Sequence, residues 1–173
     1  MNTEELLCCL AQIVKNSNIK KYSVLSADQI YQFSISTLKP RCCIVNTDES
    51  WKPGKHWVVF YWSNNNNIEF FDSYGLDLSE YSSLSEAKID KIVCNAMTVQ
   101  HDRSLVCGQH CLHFLYKRIY GSDFHSIISE YCFVNLRHND RLVSDFVCKN
   151  FSVKCDLYKC GGQICQPKYL KNE

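Results

Sequence analysis

The stretch HDRSLVCGQHCLHFLYKRIYG, residues 101–121, decides how the chain is read. Cys111, Leu112, Leu115 and Ile119 recur at helical spacing, Lys117 and Arg118 stand near the end, and Gly121 follows as a stop signal. The pattern predicts a helix whose N-terminus lies at or next to Cys107. A thiol attacks as its thiolate, and a free cysteine with a pKa of about 8.5 is mostly protonated at neutral pH. A reactive cysteine therefore needs a helix start or an imidazolium beside it. Cys107 has the first by position. The partial positive charge of a helix start favours the anion, and its free backbone N–H groups can hold an oxyanion formed on a substrate carbonyl. Gly108, the next residue, is expected to let a substrate approach closely.

Working upstream, Cys42 to Val45, Trp57 to Trp62 and Ile68 to Phe71 are short apolar runs separated by turn-rich segments, which predicts strands. The link from Ser63 to Asn67 is polar and suits a hairpin. The segment from Asp48 to Lys55, with Pro53 and Gly54, reads as a surface loop ending at His56. His56 then begins one strand and Asp72 ends the next. In an antiparallel pair those ends are neighbours, so the Asp72 carboxylate is expected to accept from His56 Nδ1–H while Nε2 faces the cysteine.

The rest of the chain fits one α+β domain over residues 1–173, a small mixed sheet flanked by helices. Asn2 with Glu5 forms a capping signature ahead of an apolar stripe, predicting a helix over 3–15, and Ser26 with Gln29 repeats it ahead of a short helical turn. Residues 76–93, with Leu84, Ala87, Ile89 and Ile92, read as a helix, and Ala96 to Gln100 as a strand. Two more helices are expected between Ser122 and Phe151.

Composition narrows the function classes. With 19 Lys plus Arg against 18 Asp plus Glu, no strong field attracts nucleic acid or an anionic membrane. No apolar run approaches the roughly 18 residues of a membrane span. The opening MNTEELLCCLAQIVKN lacks a basic region ahead of its apolar residues, so a secretory signal is not expected. The twelve cysteines are accordingly expected to be reduced thiols, in a nuclear or cytoplasmic setting.

Four segments, CCIVNT at 42–47, HWVVFYW at 56–62, FFDSYG at 70–75 and VQHDRSLVCG at 99–108, follow one another in an order that resembles the adenovirus protease family, within the clan of ubiquitin-like-protein-specific cysteine proteases. The resemblance covers about residues 40–120. It implies a papain-like protease fold with Cys107 as nucleophile at the start of a buried helix, His56 as base, Asp72 as third triad member and Gln100 as a side-chain donor to the oxyanion hole. Six residues separate Gln100 from Cys107, as in the adenovirus enzymes. Asp72, however, stands where those enzymes usually carry glutamate and the ubiquitin-like-protein branch carries aspartate. Trp57 resembles the tryptophan that lines the substrate cleft, and Gly108 is counted with it as substrate-binding.

The resemblance further implies an endopeptidase that cleaves viral precursor polyproteins, such as capsid or core proteins, at glycine-containing sites. The alternatives are a peptidase removing ubiquitin-like proteins, an acetyltransferase on the same scaffold, and a non-catalytic cysteine-rich binding domain. No cofactor is required for the chemistry. An activating peptide, with Cys94 as the candidate link, and DNA, with Lys117, Arg118, Arg137 and Arg141 as the candidate patch, are implied by the family. The protein is expected to be a monomer. His110, Cys111 and His113 beside Cys107, and separately Cys155, Cys160 and Cys165, approach zinc-ligand spacing without completing a site, and no metal is expected. The histidines other than His56 are assigned no site role.

Overall fold

A computed structural model describes residues 1–63, 67–84 and 92–151. In chain order the elements are α1 (Thr3–Val14), β1 (Lys21–Ser26), α2 (Ile30–Ser34), β2 (Arg41–Asn46), β3 (Trp57–Trp62), β4 (Ile68–Phe71), β5 (Ile92–Cys94), α3 (Cys107–Ile119), α4 (Phe124–Ser129) and α5 (Leu136–Asn150). The five strands form one mixed sheet in sequential order. β2, β3 and β4 pair antiparallel, and β1 and β5 add parallel to its two edges. This is the expected α+β architecture, a mixed sheet flanked by helices.

The central strands are unbroken apolar runs because both faces of the sheet are covered. Cys42, Ile44, Val59, Tyr61 and Phe71 pack on one side with α1, α3, α4 and α5. Cys43, Val45, Val58, Phe60, Trp62 and Phe70 pack on the other with Ala27, Ile30 and Phe33 around α2. The larger core encloses α3, whose residues from Gly108 to Leu115 are all buried. Both capping signatures form: Asn2 and Glu5 exchange side-chain and backbone bonds at 2.9 Å, and Gln29 Oε1 accepts from Ser26 N.

Two expectations are corrected, and one strand was not expected. Among the described residues of 76–93 there is no α-helix: single 3₁₀ turns occupy Leu78–Glu80 and Ser82–Leu84, and Ile92 begins β5. Of the side chains read as a helical stripe, Leu84 is buried in the second core, and Ile92 packs against it and pairs with Ile68 at the edge of β4. Ala96 to Gln100 forms no strand, because the N–H groups of Val99 and Gln100 both bond to the Ser73 carbonyl, at 2.8 and 3.0 Å. β1 has no counterpart in the apolar pattern, since Val24 is its one buried residue. The hairpin tip at 64–66, the segment 85–91 with Ala87 and Ile89, and Cys155, Cys160 and Cys165 lie outside the described residues.

Candidate active site

The register of β3 with β4 pairs Val59 with Phe71. His56 precedes β3 by one residue and Asp72 follows β4 by one, so both lie at the same end of the hairpin, where the chain turns at Gly75. His56 Nε2 meets Asp72 Oδ1 at 2.5 Å, although sixteen residues separate them in sequence. The expected ring orientation is thus reversed. Nε2 engages the carboxylate, and hydrogen bonding and charge couple the imidazole to the Cys107 thiol.

Asp72 is fully buried and saturated with donors. Its carboxylate accepts from His56, from the backbone N–H groups of Tyr74 (2.9 Å) and Leu76 (3.2 Å), and from the Tyr81 hydroxyl (2.7 Å). Burial alone would raise its pKa, yet the His56 hydrogen bond and charge, with the Tyr74 and Tyr81 bonds, hold it below the usual carboxylate range. Burial likewise disfavours a charged His56, but its bonds to Asp72 and Cys107 prevail and raise its pKa to about 9. For Cys107 burial favours the thiol, and the hydrogen bond and charge of His56 overcome it and pull the pKa down. The buried thiols move the other way, with Cys42 pushed up to about 12 and Cys9 to about 11 by burial. One cysteine on α3 is therefore electronically set apart.

Cys107 is the first residue of α3, and the cap position Val106 supplies no side-chain hydrogen bond. The first intrahelical bond runs from His110 N to Val106 O, so the N–H groups before it point out of the helix start. Gln100 is fully buried nearby: its Oε1 accepts from the Ser73 hydroxyl at 2.6 Å, and its Nε2 donates to Ser104 O at 3.0 Å and to Tyr74 Oη at 3.3 Å.

Gly108 and Trp57, the two residues expected to bind substrate, both contact the N-terminal residues. A Cβ on Gly108 would lie 3.1 Å from Leu6 Cδ2 and 3.4 Å from Met1 Cβ, so the absent side chain makes room for α1. Trp57 is half-buried, packs against the larger core and donates from Nε1 to Met1 O at 3.3 Å. The neighbouring zinc-like residues have other partners. Cys111 Sγ donates to Trp57 O, His110 pairs with Asp140 at 3.0 Å and His113 with the Tyr131 hydroxyl at 2.9 Å. Among the described residues no group of three or more His, Cys, Asp or Glu is arranged to hold a metal. In the candidate basic patch, Arg118 forks onto both Glu69 oxygens at 2.8 and 2.9 Å and Lys117 pairs with Glu130, which neutralises half of it. Cys94 is half-buried on the edge strand β5.

Three residues of the site carry no signal at the level of spacing. Asn95 clamps Asp72 from the loop after β5, Tyr81 donates to its carboxylate, and Tyr74 stacks on His56 with ring centroids 4.7 Å apart. Tyr74 lies in the turn that Gly75 N closes onto Asp72 O, past the end of β4, so no strand alternation marks it.

No family model matches the chain, and no curated protein matches it. Among solved structures it is similar to the ASFV pS273R protease, at 19% identity and a TM-score of 0.41, over 61% of this chain and 44% of that one. It is also similar to the central domain of the uncharacterized Lpg1148 protein from Legionella pneumophila, at 17% identity and a TM-score of 0.47, over 84% of this chain and 98% of that one. The chain spans less than half the length of the ASFV protein it matches.

Proposed function

We propose that the chain is a cysteine protease in which Cys107 is the nucleophile, His56 the base, and Asp72 the group that orients the histidine. One observation carries the reading: a single imidazole joins a carboxylate held by four donors to a thiol at an uncapped helix start. A carboxylate–imidazole–thiol chain of this kind is the arrangement required to activate a nucleophile.

The Cys107 thiolate attacks a peptide carbonyl, and the oxygen takes the negative charge against the N–H groups at the start of α3 and the polar cluster around Gln100. The tetrahedral adduct collapses, the C–N bond breaks, and the His56 imidazolium gives its proton to the departing amine. A thioester remains on Cys107. His56, now neutral, takes a proton from water, the hydroxide attacks the thioester, and the acid leaves as the thiolate and imidazolium are restored. Asp72 stays ionised throughout and holds Nε2–H, so that Nδ1 is the nitrogen that exchanges protons.

Large apolar side chains are exposed on the loops leading into the four residues: Trp51 before His56, Leu76 after Asp72, Met97 before Gln100 and Leu105 before Cys107. They suit a peptide chain rather than a small polar substrate. With the adenovirus-like spacing from Gln100 to Cys107, the reading extends to an endopeptidase that cleaves viral or virus-derived precursors at glycine-containing sites. The aspartate at 72 favours a second reading, a peptidase acting on ubiquitin-like proteins. Purified protein and its Cys107→Ala variant, incubated with a glycine-containing peptide library and with ubiquitin-like fusion proteins, separate the two. Cleavage confined to the library and lost in the variant supports the first, and cleavage confined to the fusions supports the second. No cleavage of either, with Cys107 alkylated no faster than the other thiols, overturns both.

A further inference from the structure

We infer that the Tyr74 hydroxyl, in place of the Gln100 amide, is the side-chain donor to the oxyanion formed when Cys107 attacks a carbonyl, and that Gln100 aims it there. The inference rests on the protease reading and deepens it. Tyr74 lies flat against His56, with ring centroids 4.7 Å apart and planes inclined by 28°. The stack fixes the phenol ring beside the imidazole that serves Cys107, and the hydroxyl extends past it.

The hydrogen bonds of Gln100 decide what that hydroxyl does. The Ser73 hydroxyl donates to Oε1 at 2.6 Å and so sets which way the buried amide faces. An amide nitrogen carries two hydrogens. Here one is directed at Ser104 O and the other at Tyr74 Oη. Gln100 thus delivers its polarity through the tyrosine. A phenol that accepts from Gln100 keeps its own proton to donate, and the donation it receives makes that proton a stronger hydrogen-bond donor. Burial and the neighbouring Cys107 thiolate both raise the Tyr74 pKa, which keeps the hydroxyl protonated across the working range. It transfers no proton: it bonds to the oxyanion in the tetrahedral adduct and releases it when the adduct collapses. As a group touching the reacting oxygen, Tyr74 would be a catalytic residue.

Two reactions of the same sulfur isolate the hydroxyl. Alkylation of Cys107 by iodoacetamide displaces iodide and forms no oxyanion. Acylation by the p-nitrophenyl ester of N-acetyl-glycyl-glycine passes through one. Both are followed at Cys107 by peptide-resolved mass spectrometry in wild type and Tyr74→Phe, which retains the ring and its stack. The expected result is an alkylation rate and pH profile within about twofold of wild type, with acylation slower by about tenfold or more. An unchanged ratio of acylation to alkylation overturns the inference. So does an equal fall in both, which would place the tyrosine's effect on the thiolate. If wild-type Cys107 is alkylated no faster than the other thiols, the protease reading itself fails, and the inference falls with it.

Discussion

Asn95 grips Asp72 from both sides of its backbone: Asn95 Oδ1 accepts from Asp72 N at 2.9 Å, and Asn95 Nδ2 donates to Asp72 O at 2.6 Å. The same Nδ2 reaches Met97 O at 3.1 Å, so one buried amide ties the end of β4 to the loop that leads to Gln100. The carboxylate that bonds to His56 is thus held through its backbone by a residue whose side-chain bonds go to neither the histidine nor the cysteine.

Asn95→Ala leaves the buried Asp72 N–H without its partner, while Asp72 O keeps its bond from Gly75 N, at a cost of about 1–3 kcal/mol. The urea midpoint is expected to fall accordingly. The loosened carboxylate also lets His56 drift, so the pH at which Cys107 is half-labelled by iodoacetamide should rise. A variant that loses stability with an unmoved labelling profile would make Asn95 a fold residue alone.

The opposed shifts of Cys107 and His56 set a pH window. The thiolate exists below the ordinary thiol range, and the imidazolium persists until pH reaches about 9. Peptide cleavage is expected to rise as Cys107 ionises and to fall near pH 9, where the proton for the leaving amine is lost. Alkylation needs only the thiolate and should not fall there. In His56→Ala the rise in Cys107 labelling should move up into the ordinary thiol range.

Gly75 closes the turn below Asp72 at φ +70°, and a Cβ there would sit 2.6 Å from the carbonyl carbon of Met97. Both partners are backbone, so neither can yield cheaply. Gly75→Ala is expected to cost about 2 kcal/mol or more and to shift Cys107 labelling toward that of the other thiols. Gly121, at φ +109° with no atom within 4 Å of an added Cβ, provides the contrast. Gly121→Ala carries the backbone strain only, about 1 kcal/mol, with Cys107 labelling unchanged.

Arg118 pairs with a Glu69 carboxylate that is nearly buried. Arg118→Met strands that charge inside the protein. A loss of about 2 kcal/mol in urea denaturation is expected, between the values for exposed and for buried pairs. Glu69→Gln in the same background should recover part of it. The pair ties β4 to the end of α3, away from Cys107, so labelling kinetics should be those of wild type.

Much of the fold was legible where the controlling forces are local. The Asn2/Glu5 and Ser26/Gln29 caps, the 3.6-residue stripe of α3 and the apolar runs of β2, β3 and β4 each depend on residues a few positions apart. β1 and β5 were not legible, because a half-exposed strand is defined by the neighbour whose edge it completes, and the sequence of six or three residues says little about that neighbour.

The sequence by itself determined which chemistry-bearing residues stand at element ends: His56 before β3, Asp72 after β4 and Cys107 at the start of α3. Turn signals and hydrophobic runs place those ends whatever the rest of the chain does. Only the tertiary structure decided how they face one another. It turned Nε2 rather than Nδ1 toward Asp72, spent the missing side chain of Gly108 on Leu6, and brought Asn95, Tyr81 and Tyr74 around the site from separate loops. Those choices depend on ring orientation and on contacts between segments far apart in the chain, which are set when the two cores close and the hairpin acquires its register.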